Sequence, residues 1–217
     1  MFVGHYAVSL ALKKVERKAS LGALFLAVQL VDILFFPFVL LGIEKTNIVE
    51  NVTPSTHFEL VFMPYTHSLA ASLMWAGVTY IACRLLPPRI HSVALAMALA
   101  VLSHWFLDLI VHTPDLPLWS DASPKMGLGL WRSAIATSIV DAALLVCGLW
   151  LYLRSTTATS PIGKYGMGVF VLILILLNAV NLFGPPIYES KLALATSSLA
   201  MYFAFAAVAY WLNGKRS

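Results

Sequence analysis

The segment Ser103-His104-Trp105-Phe106-Leu107-Asp108-Leu109-Ile110-Val111-His112 is the most informative part of the sequence, because it closes an apolar run, residues 92–111, that is long enough to cross a membrane. Residues four apart on a helix share one face, so His104, Asp108 and His112 form a single polar stripe. Ionisable side chains are costly in hydrocarbon and are typically functional there. Imidazole and carboxylate are both metal ligands, so metal binding would explain the stripe.

The composition indicates an integral membrane protein. Of the 217 residues, 60% are hydrophobic and 11% are charged, and the mean hydropathy is +0.84. A soluble domain carries about 25% charged residues. The pI of about 9.1 does not indicate a nucleic-acid partner, because the basic residues cluster at the ends of apolar runs, as the positive-inside rule describes. No repeat or domain boundary is evident, so residues 1–217 are predicted to form one helical domain.

The apolar runs predict an all-α membrane protein with six transmembrane helices. Each run has about the 20 residues that a span needs. Basic residues flank alternate loops, which places both termini in the cytoplasm. Proline residues mark several of the breaks, including Pro185-Pro186 after the fifth run. The predicted spans are residues 21–43, 67–86, 92–111, 130–153, 165–183 and 192–212.

An additional apolar segment, residues 2–12, is too short to span the bilayer. We expect it to form a re-entrant or buried half-helix, joined to the first span by the basic turn at residues 13–20. In that arrangement the imidazole of His5 points at His104 and Asp108. The alternative is an amphipathic anchor at the interface, which would leave His5 near the headgroups.

Several polar residues share one predicted depth. Counting the helical rise from the basic boundaries places Asp32, His104, Asp141 and Asn178 roughly 20 Å into the membrane, and a half-helix that folds back brings His5 to the same level. Carboxylates at the bilayer centre cost about 2.5–3.5 kcal/mol each, and a shared cation would offset that cost. Other readings stay open for single residues: a hydrogen bond to a neighbouring helix for Asp32 or Asp141, packing for His5, and solvation for His112.

The order of these residues resembles a known family. Gly4-His5-Tyr6-Ala7 opens the chain, Asp32 follows on the next helix, and Pro64-Tyr65-Thr66-His67-Ser68 precedes Ser103-His104-x-x-x-Asp108. Residues 1–120 thereby resemble the small bacterial membrane-bound metal-dependent hydrolases, the LexA-binding inner-membrane hydrolase (YdjM-like) family. The resemblance implies a location in the bacterial inner (plasma) membrane. It also implies a metal site formed by His5, Asp32, His67, His104 and Asp108.

Two parts of the family pattern are missing from this chain. The stretch Leu30-Val31-Asp32-Ile33-Leu34 lacks the second acid and the histidine of the family's acidic cluster, and Met63-Pro64-Tyr65 replaces the arginine that precedes Thr-His-Ser. The resemblance does not extend beyond residue 120.

These observations predict a metal-dependent hydrolase of the membrane. The five implied ligands would hold a divalent metal ion, with Zn²⁺ as the first candidate, and Asp108 or Asp141 would act as general base. The depth of the site suits a lipid or lipid-linked substrate that enters from the outer leaflet. The alternatives are an ion or small-solute transporter that uses the same His/Asp cluster, and a non-catalytic protein with a structural metal. The oligomeric state does not follow from the sequence.

Overall fold

The structure, a computed structural model, describes residues 3–87, 89–184 and 190–217. It is mostly helical, as predicted, and Pro185-Pro186 lies outside the described residues. The described residues form eight α-helices, which are α1 (His5–Val15), α2 (Leu21–Val28), α3 (Leu30–Leu40), α4 (Leu69–Leu85), α5 (His91–Val111), α6 (Ala134–Ser155), α7 (Pro161–Phe183) and α8 (Lys191–Asn213).

Four of these helices, α5 to α8, are long and apolar enough to cross a membrane. A fifth span is obtained only if α2 and α3, which meet at an angle of 50°, are counted together. Helix α4 has 17 residues and is shorter than a typical span. The prediction of six full-length spans is therefore corrected, because the first predicted span is broken and the second forms a shorter helix.

The break between α2 and α3 lies at Gln29, whose backbone (φ −102°, ψ 7°) leaves the helical region. The last carbonyls of a helix have no partner within that helix, so the carbonyl of Val28 becomes available to a side chain. Asp32 lies in the first turn of the new helix. The break thus brings a free carbonyl and a carboxylate to one level of the bundle.

Two small antiparallel sheets correct the all-α prediction. Strands β1 (Lys45–Thr53) and β2 (Thr56–Phe62) form a hairpin between α3 and α4, in which Ile48 pairs with Phe58. Strands β3 (Leu116–Pro117) and β4 (Lys125–Met126) pair in the segment between α5 and α6. The β1–β2 hairpin touches the bundle where the Ser55 hydroxyl lies 3.3 Å from that of Thr137 on α6.

Helix α1 is buried against α6, as the half-helix prediction requires. A side chain on Gly148 of α6 would meet the carbonyl oxygen of Ala7 at 2.6 Å, so the two backbones touch. The aromatic ring of Tyr6 stacks on Phe25 of α2, with ring centroids 4.5 Å apart. An interfacial anchor would leave one face of α1 exposed, whereas the successive residues His5, Tyr6 and Ala7 point to different sides of the helix and are all buried.

Candidate metal centre

Four parts of the fold bring the five predicted ligands together. His5 begins α1, Asp32 lies on α3, His67 lies two residues before α4, and α5 carries both His104 and Asp108. All five side chains meet at one place in the bundle. The Nε2 atoms of His5 and His104 lie 3.3 and 3.0 Å from the two carboxylate oxygens of Asp108, and Nε2 of His67 lies 3.2 Å from Oδ1 of Asp32. The expected placement of His5 is therefore confirmed.

The ligand atoms form two overlapping sets that share His104. One set is His5, His104 and Asp108, the other is Asp32, His67 and His104, and within each set the atoms lie within 4.8 Å of one another. Nε2 of His104 lies 3.6 Å from Oδ1 of Asp32. Atoms bound to one tetrahedral zinc ion at 2.0–2.1 Å lie roughly 3.3 Å apart. The observed separations match that spacing, so the group could hold a metal ion.

In two of these imidazoles the Nδ1 atom, which faces away from the carboxylates, is hydrogen-bonded to an acceptor. Nδ1 of His104 lies 2.7 Å from the carbonyl oxygen of Val28, which can only accept. Nδ1 of His67 lies 2.7 Å from the hydroxyl of Thr66, which donates its own proton to Glu44. Each Nδ1 therefore carries the proton, and Nε2 of a neutral ring presents its lone pair to the carboxylates.

This arrangement needs a cation or a proton between the rings and the carboxylates. A lone pair 3.0 Å from a carboxylate oxygen, as between His104 and Asp108, is repulsive unless a metal ion, a second ring proton or a proton on the carboxyl group separates the two acceptors. Metal-binding histidines typically donate their other ring N–H to a carbonyl or carboxylate in this way. The hydrogen-bond pattern therefore fits metal ligation.

Glu44 is a residue that the sequence reasoning missed. It lies just before β1 and is 1% exposed, and it accepts hydrogen bonds from the backbone N–H groups of Tyr65 and Thr66 and from the Thr66 hydroxyl. Burial raises the pKa of the Glu44 carboxyl, while its donors act in the opposite direction. Only the tertiary fold brings Glu44 to Thr66, so no local pattern in the sequence could have shown the contact.

His112, which the sequence left open between ligation and solvation, is buried at the edge of the cluster. Its Nε2 lies 3.7 Å from Oδ2 of Asp108, and its Nδ1 lies 2.8 Å from Oδ1 of Asp115. Its ring packs on Trp131, with centroids 4.1 Å apart. His112 thus has the same carboxylate-facing orientation as the predicted ligands, at a greater distance.

Asp141 and Asn178 lie outside the two ligand sets but pair with each other. The Asn178 amide donates to Oδ2 of Asp141 at 3.0 Å, which joins α6 to α7. Both residues line the same cavity as Asp32 and Asp108. Their shared depth, which the sequence predicted, therefore reflects a shared cavity.

The cavity has a volume of about 190 Å³. Asp32, His67, Asp108 and His112 lie on its wall, and the β1–β2 hairpin contributes Ser55, Thr56, Phe58 and Leu60. The remaining wall is largely apolar and comes from α3, α7 and α8. Leu177 and Val180 of α7 line the cavity and are also 39% and 58% exposed, so the cavity wall continues onto the outer face of the bundle.

The chain is thus a mostly helical protein with helices of membrane-spanning length and a buried His/Asp cluster that could hold a metal ion. No family model, no curated protein and no solved structure matches the chain. The resemblance of residues 1–120 to the membrane-bound hydrolases therefore rests on the motifs alone.

The Thr66 hydroxyl permits a test of the ligand geometry. Thr66→Val keeps the side-chain shape but removes the link between Glu44 and Nδ1 of His67, and we expect metal affinity to fall by about 10–100-fold, as for other residues that orient metal ligands. Thr46→Val is the matched control, since Thr46 is equally buried but donates to the carbonyl of Glu59 in the hairpin. Competition with a fluorescent zinc chelator measures both variants. Equal affinities in the two would show that Thr66 does not orient a ligand.

Proposed function

We propose that the protein is an integral-membrane, metal-dependent hydrolase that acts on a lipid or lipid-linked substrate. The observation that carries the proposal is the inward orientation of the Nε2 atoms of His67 and His104, which face Asp32 and Asp108 while their Nδ1 atoms are bound on the outside. His5 completes the proposed ligand set. A bound Zn²⁺ ion supplies a water of lowered pKa and polarises a phosphoryl or carbonyl oxygen.

The protein's own residues have distinct proposed roles. Both oxygens of Asp108 face imidazoles, so Asp108 serves mainly as a ligand. The Tyr202 hydroxyl donates to Oδ2 of Asp32 at 3.1 Å, which directs the other oxygen of Asp32 to His67 and His104. Asp141 lines the cavity without facing these imidazoles and is the carboxylate left for proton transfer or substrate binding.

The apolar wall supports a lipid substrate. Phe35, Phe36, Leu182 and Leu194 line the same cavity as Asp32, His67 and Asp108, and they would exclude water from the reacting group. The exposed positions of Leu177 and Val180 give an acyl chain a path from the outer face of α7. We infer a position in the bacterial inner membrane with both termini cytoplasmic, since the basic residues cluster at alternate ends of the apolar runs.

A transporter is the second candidate, and the broken span favours it. Transporters use discontinuous helices to build ion sites within the membrane, and the bend between α2 and α3 lies at the cluster. In that reading a second ring proton on His67 or His104, in place of a metal, balances the carboxylates, and the histidines relay protons.

Reconstitution into vesicles of phosphatidylethanolamine and phosphatidylglycerol distinguishes the two functions. We expect zinc-loaded protein to release lipid products, detected by mass spectrometry, and we expect Asp108→Ala to lower the rate by at least about 100-fold, as loss of an essential catalytic group does. Chelation of the metal is expected to have the same effect. Intact lipids together with movement of zinc or protons into the vesicles would overturn the hydrolase and support the transporter.

A further inference from the structure

A second polar site lies in the cavity, apart from the His/Asp cluster. Asp141 on α6 is 1% exposed and Asn178 on α7 is 3% exposed, and both line the cavity. The amide of Asn178 satisfies Oδ2 of Asp141 at 3.0 Å. Thr137, one helical turn before Asp141 on α6, also lines the cavity. Ser55 of the β1–β2 hairpin lines it too, and its hydroxyl contacts that of Thr137.

The other oxygen of Asp141, Oδ1, is buried and has no hydrogen-bond partner within residues 3–87, 89–184 and 190–217. The amide of Gly4 also faces this carboxylate. A buried carboxylate oxygen that lacks a donor is costly. Because Asp141 lines the cavity, a ligand in the cavity can supply the missing donor.

The charges around the cavity favour a positively charged donor. None of the cavity-lining side chains that the structure describes is a lysine or arginine. A divalent cation in the cluster would balance Asp32 and Asp108. An anionic group next to Asp141 would be repelled at low dielectric, and an ammonium group would be attracted.

The site is open to amphipathic molecules. Leu177 and Val180 flank Asn178 on α7 and combine a place in the cavity wall with an exposed outer face. A molecule that enters there passes an apolar surface before it reaches Asp141. An apolar surface that leads to a carboxylate suits a lipid with an amine in its headgroup.

We propose that Asp141 and Asn178 form a headgroup subsite for a zwitterionic phospholipid that carries a primary amine. The ammonium group donates to Oδ1 of Asp141, while the lipid's hydrolysable bond lies towards the His/Asp cluster. Asp141 is then a specificity-determining residue. The inference rests on the lipid substrate of the proposed function and adds its headgroup class.

The test is lipid binding to the full-length, zinc-loaded protein in detergent, measured by native mass spectrometry. The probes are phosphatidylethanolamine, phosphatidylcholine and phosphatidylglycerol with identical acyl chains. We expect wild type to prefer phosphatidylethanolamine by about tenfold or more, the effect of one charge-assisted hydrogen bond, and we expect Asp141→Asn to lose the preference. Asp121→Asn is the matched control, since Asp121 is exposed and pairs with Lys125.

The three lipids separate charge from hydrogen-bond donation. Phosphatidylcholine carries the positive charge without an N–H group, so equal binding of phosphatidylcholine and phosphatidylethanolamine would overturn the proposal. A preference that survives in Asp141→Asn would overturn it as well. Metal content measured on the same samples separates this result from the proposed function: a preference for the amine lipid in a protein that binds no zinc would contradict the hydrolase alone.

Discussion

His104→Ala and Asp108→Ala proteins, purified without chelator, are expected to retain less than about a tenth of the wild-type metal. Each substitution removes a ligand atom from the centre of the cluster, and such a loss exceeds the 10–100-fold effect of residues that only orient ligands. His104 belongs to both ligand sets and Asp108 faces His5 as well as His104. Elemental analysis by mass spectrometry gives the metal per chain directly.

Two other histidines serve as controls for this experiment. His57 lies in β2, and His91 begins α5 at the end opposite His104, where its ring pairs with the hydroxyl of Tyr80. Neither contributes to the two ligand sets, so His57→Ala and His91→Ala should keep wild-type metal. Where His104→Ala yields no folded protein, Asp108→Asn provides the result. Wild-type protein with no metal above background would remove the basis of the hydrolase mechanism.

The second large effect is expected at the contact between α1 and α6. Gly148→Ala introduces a methyl group 2.6 Å from the carbonyl oxygen and 2.9 Å from the Cα atom of Ala7. Both obstacles are backbone atoms, so α1 must move away from α6, at a cost of about 1–3 kcal/mol as for other overpacked sites. His5 would move with α1, so we expect a lower thermal midpoint in detergent together with weaker zinc binding.

Gly168→Ala on α7 is the matched control, because a side chain there meets nothing within 4 Å. Alanine in a helix interior is favoured over glycine by roughly 0.5–1 kcal/mol, so this variant should melt at or above the wild-type temperature and bind zinc normally. A Gly148→Ala protein as stable as Gly168→Ala would show that α1 does not pack closely on α6. Unchanged zinc binding in a destabilised Gly148→Ala protein would show that His5 is not a ligand.

The clustering of His5, Asp32, His104 and Asp108 could be predicted because helix geometry relates distance in the sequence to position in the bundle. The spacing of His104 and Asp108 fixes their common face, and the helical rise gave Asp141 and Asn178 a shared depth that their hydrogen bond reflects. The same count placed His5 at this depth, because residues 2–12 are too short to span the bilayer and were expected to fold back into it. These inferences need only the regularity of the α-helix.

The features that could not be predicted depend on tertiary contacts. The hairpin of β1 and β2 lies among residues that carry no long apolar run, so a search for spans reads the segment as a loop. The break at Gln29 falls inside a continuous apolar sequence, where hydropathy shows no boundary. Glu44 reaches Thr66 across 22 positions of sequence, and no periodicity relates two residues of which neither lies in a helix.

The hydrogen bond from His104 to Val28 links the chemistry of the site to the folding of the chain. The carbonyl of Val28 ends α2 inside an apolar bundle, and the imidazole of His104 is the donor that satisfies it. Without that donor the broken helix would bear an unsatisfied carbonyl in hydrocarbon, which costs several kcal/mol. Selection for a stable fold and selection for the proposed activity would therefore act on the same side chain. A descendant that lost the proposed activity would still be under pressure to keep His104.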